Sequence, residues 1–130
     1  MAQCDTFTTA HQVLAGIYLK LGHREDAAAV LRKSVAHNPN VVTMTALAKV
    51  LLWLQRYDEV EDVLAQAQLV EPDNGELVMI RGDCLARQGR YLEAVRLYEQ
   101  AIDMDENRVG IPARKRIERA KSQMPDPGSD

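Results

Sequence analysis

The stretch that decides the fold is LAKVLLWLQRYDEVEDVLAQAQLVEP, residues 47–72. Leu47, Val50, Leu51 and Leu54 fall at i, i+3, i+4 and i+7, the spacing that gathers apolar side chains on one helical face. Val60, Val63, Leu64 and Ala67 repeat that spacing after the polar pair Gln55-Arg56. The stretch therefore reads as two helices joined by a tight turn. Working outward, two more stretches align with it without gaps: LAGIYLKLGHREDAAAVLRKSVAHNP at 14–39 and RGDCLARQGRYLEAVRLYEQAIDMDE at 81–106. Matching columns are spaced by 33 and then 34 residues.

The columns alternate in size. Small residues recur as Ala15, Ala48 and Gly82, and large ones follow as Tyr18, Leu51 and Leu85. Next come Ala27, Val60 and Ala94, then Leu31, Leu64 and Tyr98, then Ser34, Ala67 and Ala101. Small side chains let two helix backbones approach, and large ones fill the space above and below. Gly22-His23, Gln55-Arg56 and Gly89-Arg90 occupy the turns, where a helix end commonly needs a left-handed residue. Pro39 and Pro72 punctuate the ends of the first two units, because proline cannot continue a helix interior. One local signal competes: Val41-Val42-Thr43-Met44-Thr45 is β-branched enough for a strand. The repeat register overrides it and predicts a helix there, capped by Asn40.

Composition agrees. Aromatic residues make up 5% of the 130, and seven Gly and five Pro are too few turn formers for a many-stranded barrel or sandwich. No apolar run approaches the roughly 20 residues of a membrane span. The opening MAQCDTFTT has no secretory pattern, and Cys4 and Cys84 show no metal or redox spacing. A cytoplasmic protein with reduced thiols is expected. The net charge of −3 argues against a nucleic-acid partner, and its distribution is uneven. Residues 41–74 hold two Lys/Arg against six Asp/Glu, whereas residues 108–130 hold six against three.

Catalytic chemistry has no constellation to rest on. His11, His23 and His37 show no ligand spacing, and Cys84 has no motif-linked partner. Asp58, Glu59, Glu61 and Asp62 fall in the first turns of a helix, where its dipole favours negative charge. No Gly-rich phosphate loop occurs. The expectation is no enzyme, no catalytic residue, no metal and no cofactor.

The column code and terminal prolines resemble the tetratricopeptide repeat, a 34-residue helix–turn–helix unit. Leu14, Ala15, Tyr18, Gly22, Ala27 and Pro39 carry the resemblance in the first unit. Leu47, Ala48, Tyr57, Ala67 and Pro72 carry it in the second, and Gly82, Gly89, Tyr91, Ala94, Tyr98 and Ala101 in the third. Departures are His11, Met44 and Val78 at the usual Trp position, Gln55 for Gly, Val60 for Ala, Arg81 for Leu and Glu106 for Pro.

The resemblance implies an all-α fold, a right-handed superhelical α-α solenoid of three helix-turn-helix repeats with a capping helix. Its expected parts are a flexible N-terminus (1–7), repeats at 8–40, 41–73 and 74–107, a capping helix at 108–123 and a disordered tail (124–130). In the cap, Ala113, Ile117, Ala120 and Met124 share one face, and Pro112 reads as a first-turn proline. Arg114, Lys115, Arg116, Arg119 and Lys121 fall on the opposite surface.

The resemblance also implies a protein-interaction module, an adaptor or scaffold holding a peptide or helix of another protein in a concave groove lined by first helices. Family register assigns Thr9, Gln12, Lys20, Thr45, Lys49, Trp53, Met79, Asp83 and Arg87 to that groove. Two readings of Trp53 stand: a partner contact, since hot spots favour Trp, or a filler between neighbouring helices. Family members that clamp the acidic C-termini of heat-shock chaperones use Lys, Asn, Asn, Lys and Arg. The matching places hold Gln12, Gly16, Ala46, Glu76 and Ile80, so that clamp is not expected. Alternative roles are a chaperone for a secreted or assembling subunit and a self-assembling scaffold. A homo-oligomer fits the latter, and no membrane partner is expected.

Overall fold

The computed structural model describes residues 6–124, with side chains from residue 10. The lead-in before Thr6 with Cys4, the tail beyond Met124 and the side chain of Thr9 lie outside the described residues. Every element is a helix: α1 (Thr6–Lys20), α2 (Arg24–His37), α3 (Val41–Trp53), α4 (Tyr57–Val70), α5 (Gly75–Arg87) and α6 (Tyr91–Gln123). The fold class is all-α helical repeat. No helix among the described residues is long and apolar enough to cross a membrane. The chain divides into two compact units after Val70.

Three turns repeat one backbone pattern. In the first, Gly22 N–H donates to the Leu19 carbonyl and His23 N–H to that of Tyr18, at 3.1 and 2.8 Å. Gln55 and Arg56 donate to Leu52 and Leu51 in the same way, and Gly89 and Arg90 to Ala86 and Leu85. These paired bonds satisfy carbonyls that a helix end leaves orphaned. The geometry requires a left-handed residue, and Gly22, Gln55 and Gly89 sit at φ +80°, +61° and +83°. Glycine meets that without steric cost, whereas Gln55 carries a Cβ there.

The first unit packs α1 on α2, α2 on α3 and α3 on α4. Its repeat columns are buried: Ala27, Ala48, Val60, Leu64 and Ala67 are fully shielded. The β-branched stretch at 41–45 is helical. Asn40 has extended backbone, and its side-chain oxygen accepts from Thr43 N–H at 2.9 Å, capping α3 as the register predicts. The Ser34 hydroxyl occupies a small column at 0% exposure with no hydrogen-bond partner among the described residues.

The second unit packs α5 on α6. Helix α6 is broken at Asp105, whose φ −154° and ψ 58° divide it into segments 91–104 and 106–123. Val78, Met79, Ala94, Tyr98, Ala101, Val109 and Ala113 form the core and draw on both segments. Gly82 shows why the small column is small. A Cβ there would lie 2.7 Å from the buried Tyr98 ring and 3.3 Å from the Ala94 carbonyl. Helical backbone resumes at 106, so Pro112 stands in the second turn of its segment, not the first. Ala113 and Ala120 are buried, and Ile117 and Met124 half-buried, so that face turns inward as expected.

Candidate functional site

The expected groove residues divide between the two units. In the first, Gln12 is half-buried and its amide donates to Thr43 Oγ1 at 3.1 Å, tying α1 to α3. Lys20 and Lys49 are exposed at the surfaces of these helices. Thr45 is buried, and its hydroxyl donates to the Val41 carbonyl at 2.7 Å, the local bond by which threonine satisfies itself in a helix.

Trp53 is not shut between neighbouring helices. It closes α3 with 50% of its surface open, and the Arg24 guanidinium lies 4.7 Å from its ring centroid. A cation over an indole face is attracted by the ring quadrupole and holds both groups in place. Arg24 begins α2 directly after the Gly22-His23 turn, so the turn geometry carries it to the end of α3. The result is an open platform of the two residue types that dominate binding hot spots.

In the second unit, Met79 is 7% exposed and belongs to the core. Asp83 and Arg87 instead line a cleft of about 370 Å³ between α5 and both segments of α6. Ala86, Tyr91, Tyr98, Arg116, Arg119, Ala120 and Gln123 complete its wall. At its floor, the Tyr98 hydroxyl donates to Asp83 Oδ1 at 2.6 Å, and Arg116 Nε approaches both carboxylate oxygens at 2.9 and 3.2 Å. Burial pushes the Asp83 carboxyl above its usual 3.8, against the lowering effects of the Tyr98 bond and the Arg116 charge. Burial, and then the Asp83 charge, hold the Tyr98 hydroxyl protonated well above its ordinary range. Arg116 therefore does not share the solvated basic surface that the sequence suggests for it. It turns inward, while Arg114, Lys115, Arg119 and Lys121 stay exposed.

Sequence reasoning named neither Arg24 nor Arg116 as site residues. A signal for Arg116 exists: it follows Asp83 by 33 residues, so it continues the column of Gly16, Lys49 and Asp83 into the cap. Nothing comparable marks Arg24, which reads as an ordinary helix-start residue. The Cys84 thiol is fully buried beside the Gln88 side chain, as a packed thiol should be. Among the described residues, no group of three His, Cys, Asp or Glu side chains is placed to hold a metal ion.

Solved structures share the fold. The second TPR domain of human RPAP3, determined in complex with the HSP70 peptide SGPTIEEVD, is 20% identical with a TM-score of 0.75, covering 89% of this chain and 96% of that one. The first TPR of Spaghetti (RPAP3), bound to the HSP90 peptide SRMEEVD, is 18% identical with a TM-score of 0.76, covering 92% and 94%. MamA AMB-1 is 25% identical with a TM-score of 0.69, covering 95% of this chain and 73% of its own. No curated protein matches the chain. Two profiles described as tetratricopeptide repeat match residues 10–42 and 45–108, and with three identical turns and buried small columns beneath those matches, the chain belongs to the tetratricopeptide repeat family.

Proposed function

We propose that the chain is a protein-interaction module that holds a segment of another protein against its first helices, α1 and α3 in the first unit and α5 in the second. Its role is holding, not catalysis. The observation that carries this reading is the Trp53–Arg24 platform, a half-exposed indole with a guanidinium stacked over it. Lys20 and Lys49 supply cations on the same unit, and Asp83 and Arg87 supply both signs on the other. A partner segment carrying both charge signs, or an apolar one, suits these surfaces. Two fold relatives carry peptides of other proteins, which supports the reading at the level of the fold.

The mode is not the two-carboxylate clamp. Its positions hold Gln12, Gly16, Ala46, Glu76 and Ile80, none of them a cation, and Ile80 is 2% exposed. Glu76 would repel a terminal carboxylate. Affinity capture with wild type and with the Lys49→Glu, Trp53→Ala double variant tests the proposal. Proteins held by the wild type should be lost from the variant, and equal capture by both would overturn it.

A second reading, self-assembly, is favoured by α1 and the turn after it, where Val13, Ile17 and Leu21 stand 59%, 49% and 65% exposed at four-residue spacing. Such a strip suits a second copy of the chain. Light scattering over a concentration series tests it, and a monomer at high micromolar concentration would remove it.

A further inference from the structure

The cleft of the second unit carries a charge balance that its own fold does not use up. Three guanidinium groups, Arg87, Arg116 and Arg119, face one carboxylate, Asp83. Arg116 spends Nε on Asp83 and Nη1 on the Pro112 carbonyl and Met79 Sδ, at 3.4 and 3.5 Å, leaving Nη2 for a further acceptor. Arg87 and Arg119 are exposed, and the Arg87 charge acts on Asp83 less than that of Arg116 does. Asp83 is thus an internal carboxylate that fixes Arg116 at the cleft floor, with two further guanidinium groups at the mouth.

We infer that this cleft is an acidic-side-chain site, taking an Asp or Glu carboxylate from within a partner segment between Arg87, Arg119 and the open edge of Arg116. This deepens the interaction reading above and rests on it. The chemistry follows from the donors. A guanidinium presents parallel N–H groups that match a carboxylate, and such charge-assisted bonds are the stronger kind. The cleft volume of about 370 Å³ admits one or two acidic side chains, and the half-buried Tyr91 ring offers a wall for their methylene groups. A nucleic acid suits the site less well. The chain carries a net charge of −3, which opposes a polyanion along its length more than a single acidic side chain.

The probe is a fluorescein-labelled Gly-Ser peptide bearing four internal Glu, blocked at its C-terminus as the amide so that no terminal carboxylate is present. Anisotropy titrations at low and moderate salt compare it with Gln-substituted and Lys-substituted versions and with a single-stranded oligonucleotide. The expected result is saturable, salt-sensitive binding of the Glu peptide alone, weakened roughly tenfold or more in Arg87→Ala/Arg119→Glu. Asp83→Asn removes the competing charge and should strengthen binding several-fold. That direction separates ligand binding from a merely structural role for the pair, and a thermal melt of each variant confirms folding. Equal binding of the Gln peptide, tighter binding of the oligonucleotide, no binding of the Glu peptide, or undiminished affinity in the folded Arg87/Arg119 variant would overturn the inference. Failure here, with Trp53-dependent capture intact, leaves the broader reading standing. Loss of that capture, with Arg119-dependent peptide binding intact, does the reverse.

Discussion

Arg116, from the second segment of α6, closes on Asp83 of α5 with its Nε 2.9 and 3.2 Å from the two carboxylate oxygens. The pair joins the cap to the last repeat and leaves Asp83 in a setting where burial opposes its charge. A carboxyl held above its usual 3.8 binds its proton more tightly in the native state than in the unfolded one. Its protonation therefore adds stability as pH falls through the raised value toward 3.8, the reverse of an ordinary ion-paired carboxylate. Thermal melts of wild type and Asp83→Asn from pH 7 down to pH 4 should show wild type gaining on the variant. A wild type that loses ground on acidification would mean that Arg116 outweighs burial.

Gly82 and Gly16 predict opposite effects of one substitution. Gly82→Ala drives a methyl into the Tyr98 ring, which is 2% exposed and cannot swing away, so a loss of about 1–3 kcal/mol is expected. A Cβ at Gly16, inside α1, meets nothing within 4 Å. There Gly16→Ala should gain roughly 0.5–1 kcal/mol from helix preference alone. Urea unfolding of both variants checks the pair.

Ser34 holds a buried hydroxyl with no partner among the described residues, in a column that is alanine in the other repeats. Ser34→Ala removes the desolvated group and should stabilise by about 1 kcal/mol or more. The reciprocal Ala67→Ser, at 0% exposure in the same unit, should destabilise by a similar amount, read as shifted midpoints in urea.

The Gln55 turn suggests a repair. Its φ of +61° costs a residue with a Cβ on the order of 1 kcal/mol, and glycine fills the matching position in the other two turns. Gln55→Gly should raise the melting temperature by a few degrees. An unchanged or lower value would mean that the unfolded chain's added entropy cancels the relief.

Much of this fold was legible because each signal recurs about 33 residues on. Val41–Thr45 alone reads as strand, yet the columns on either side of it demanded a helix, and Asn40 caps one. The second segment of α6 was legible through Ala113 and Ala120, but its start was not. Asp105 and Asn107 are both residue types that cap a helix start, and only the backbone shows that the break falls at Asp105. Site residues were harder, because register assigns a column and not the reach of a side chain. Gln12, Thr45 and Met79 share one column assigned to the groove, yet Gln12 is half-buried and Thr45 and Met79 turn into bonds and core of their own. Arg116 meets Asp83 at the repeat spacing of 33 residues, whereas Arg24 reaches Trp53 29 residues away, as packing rather than spacing dictates.

Trp53 is the only tryptophan of the chain, so its emission reports on the platform and nothing else. The most direct measurement is a fluorescence titration with the purified partner recovered by capture, run beside an affinity measurement on Trp53→Ala. A saturable shift in emission, with affinity lowered at least tenfold in the variant, is the predicted result. Tight binding that leaves the emission unchanged and survives Trp53→Ala would contradict it.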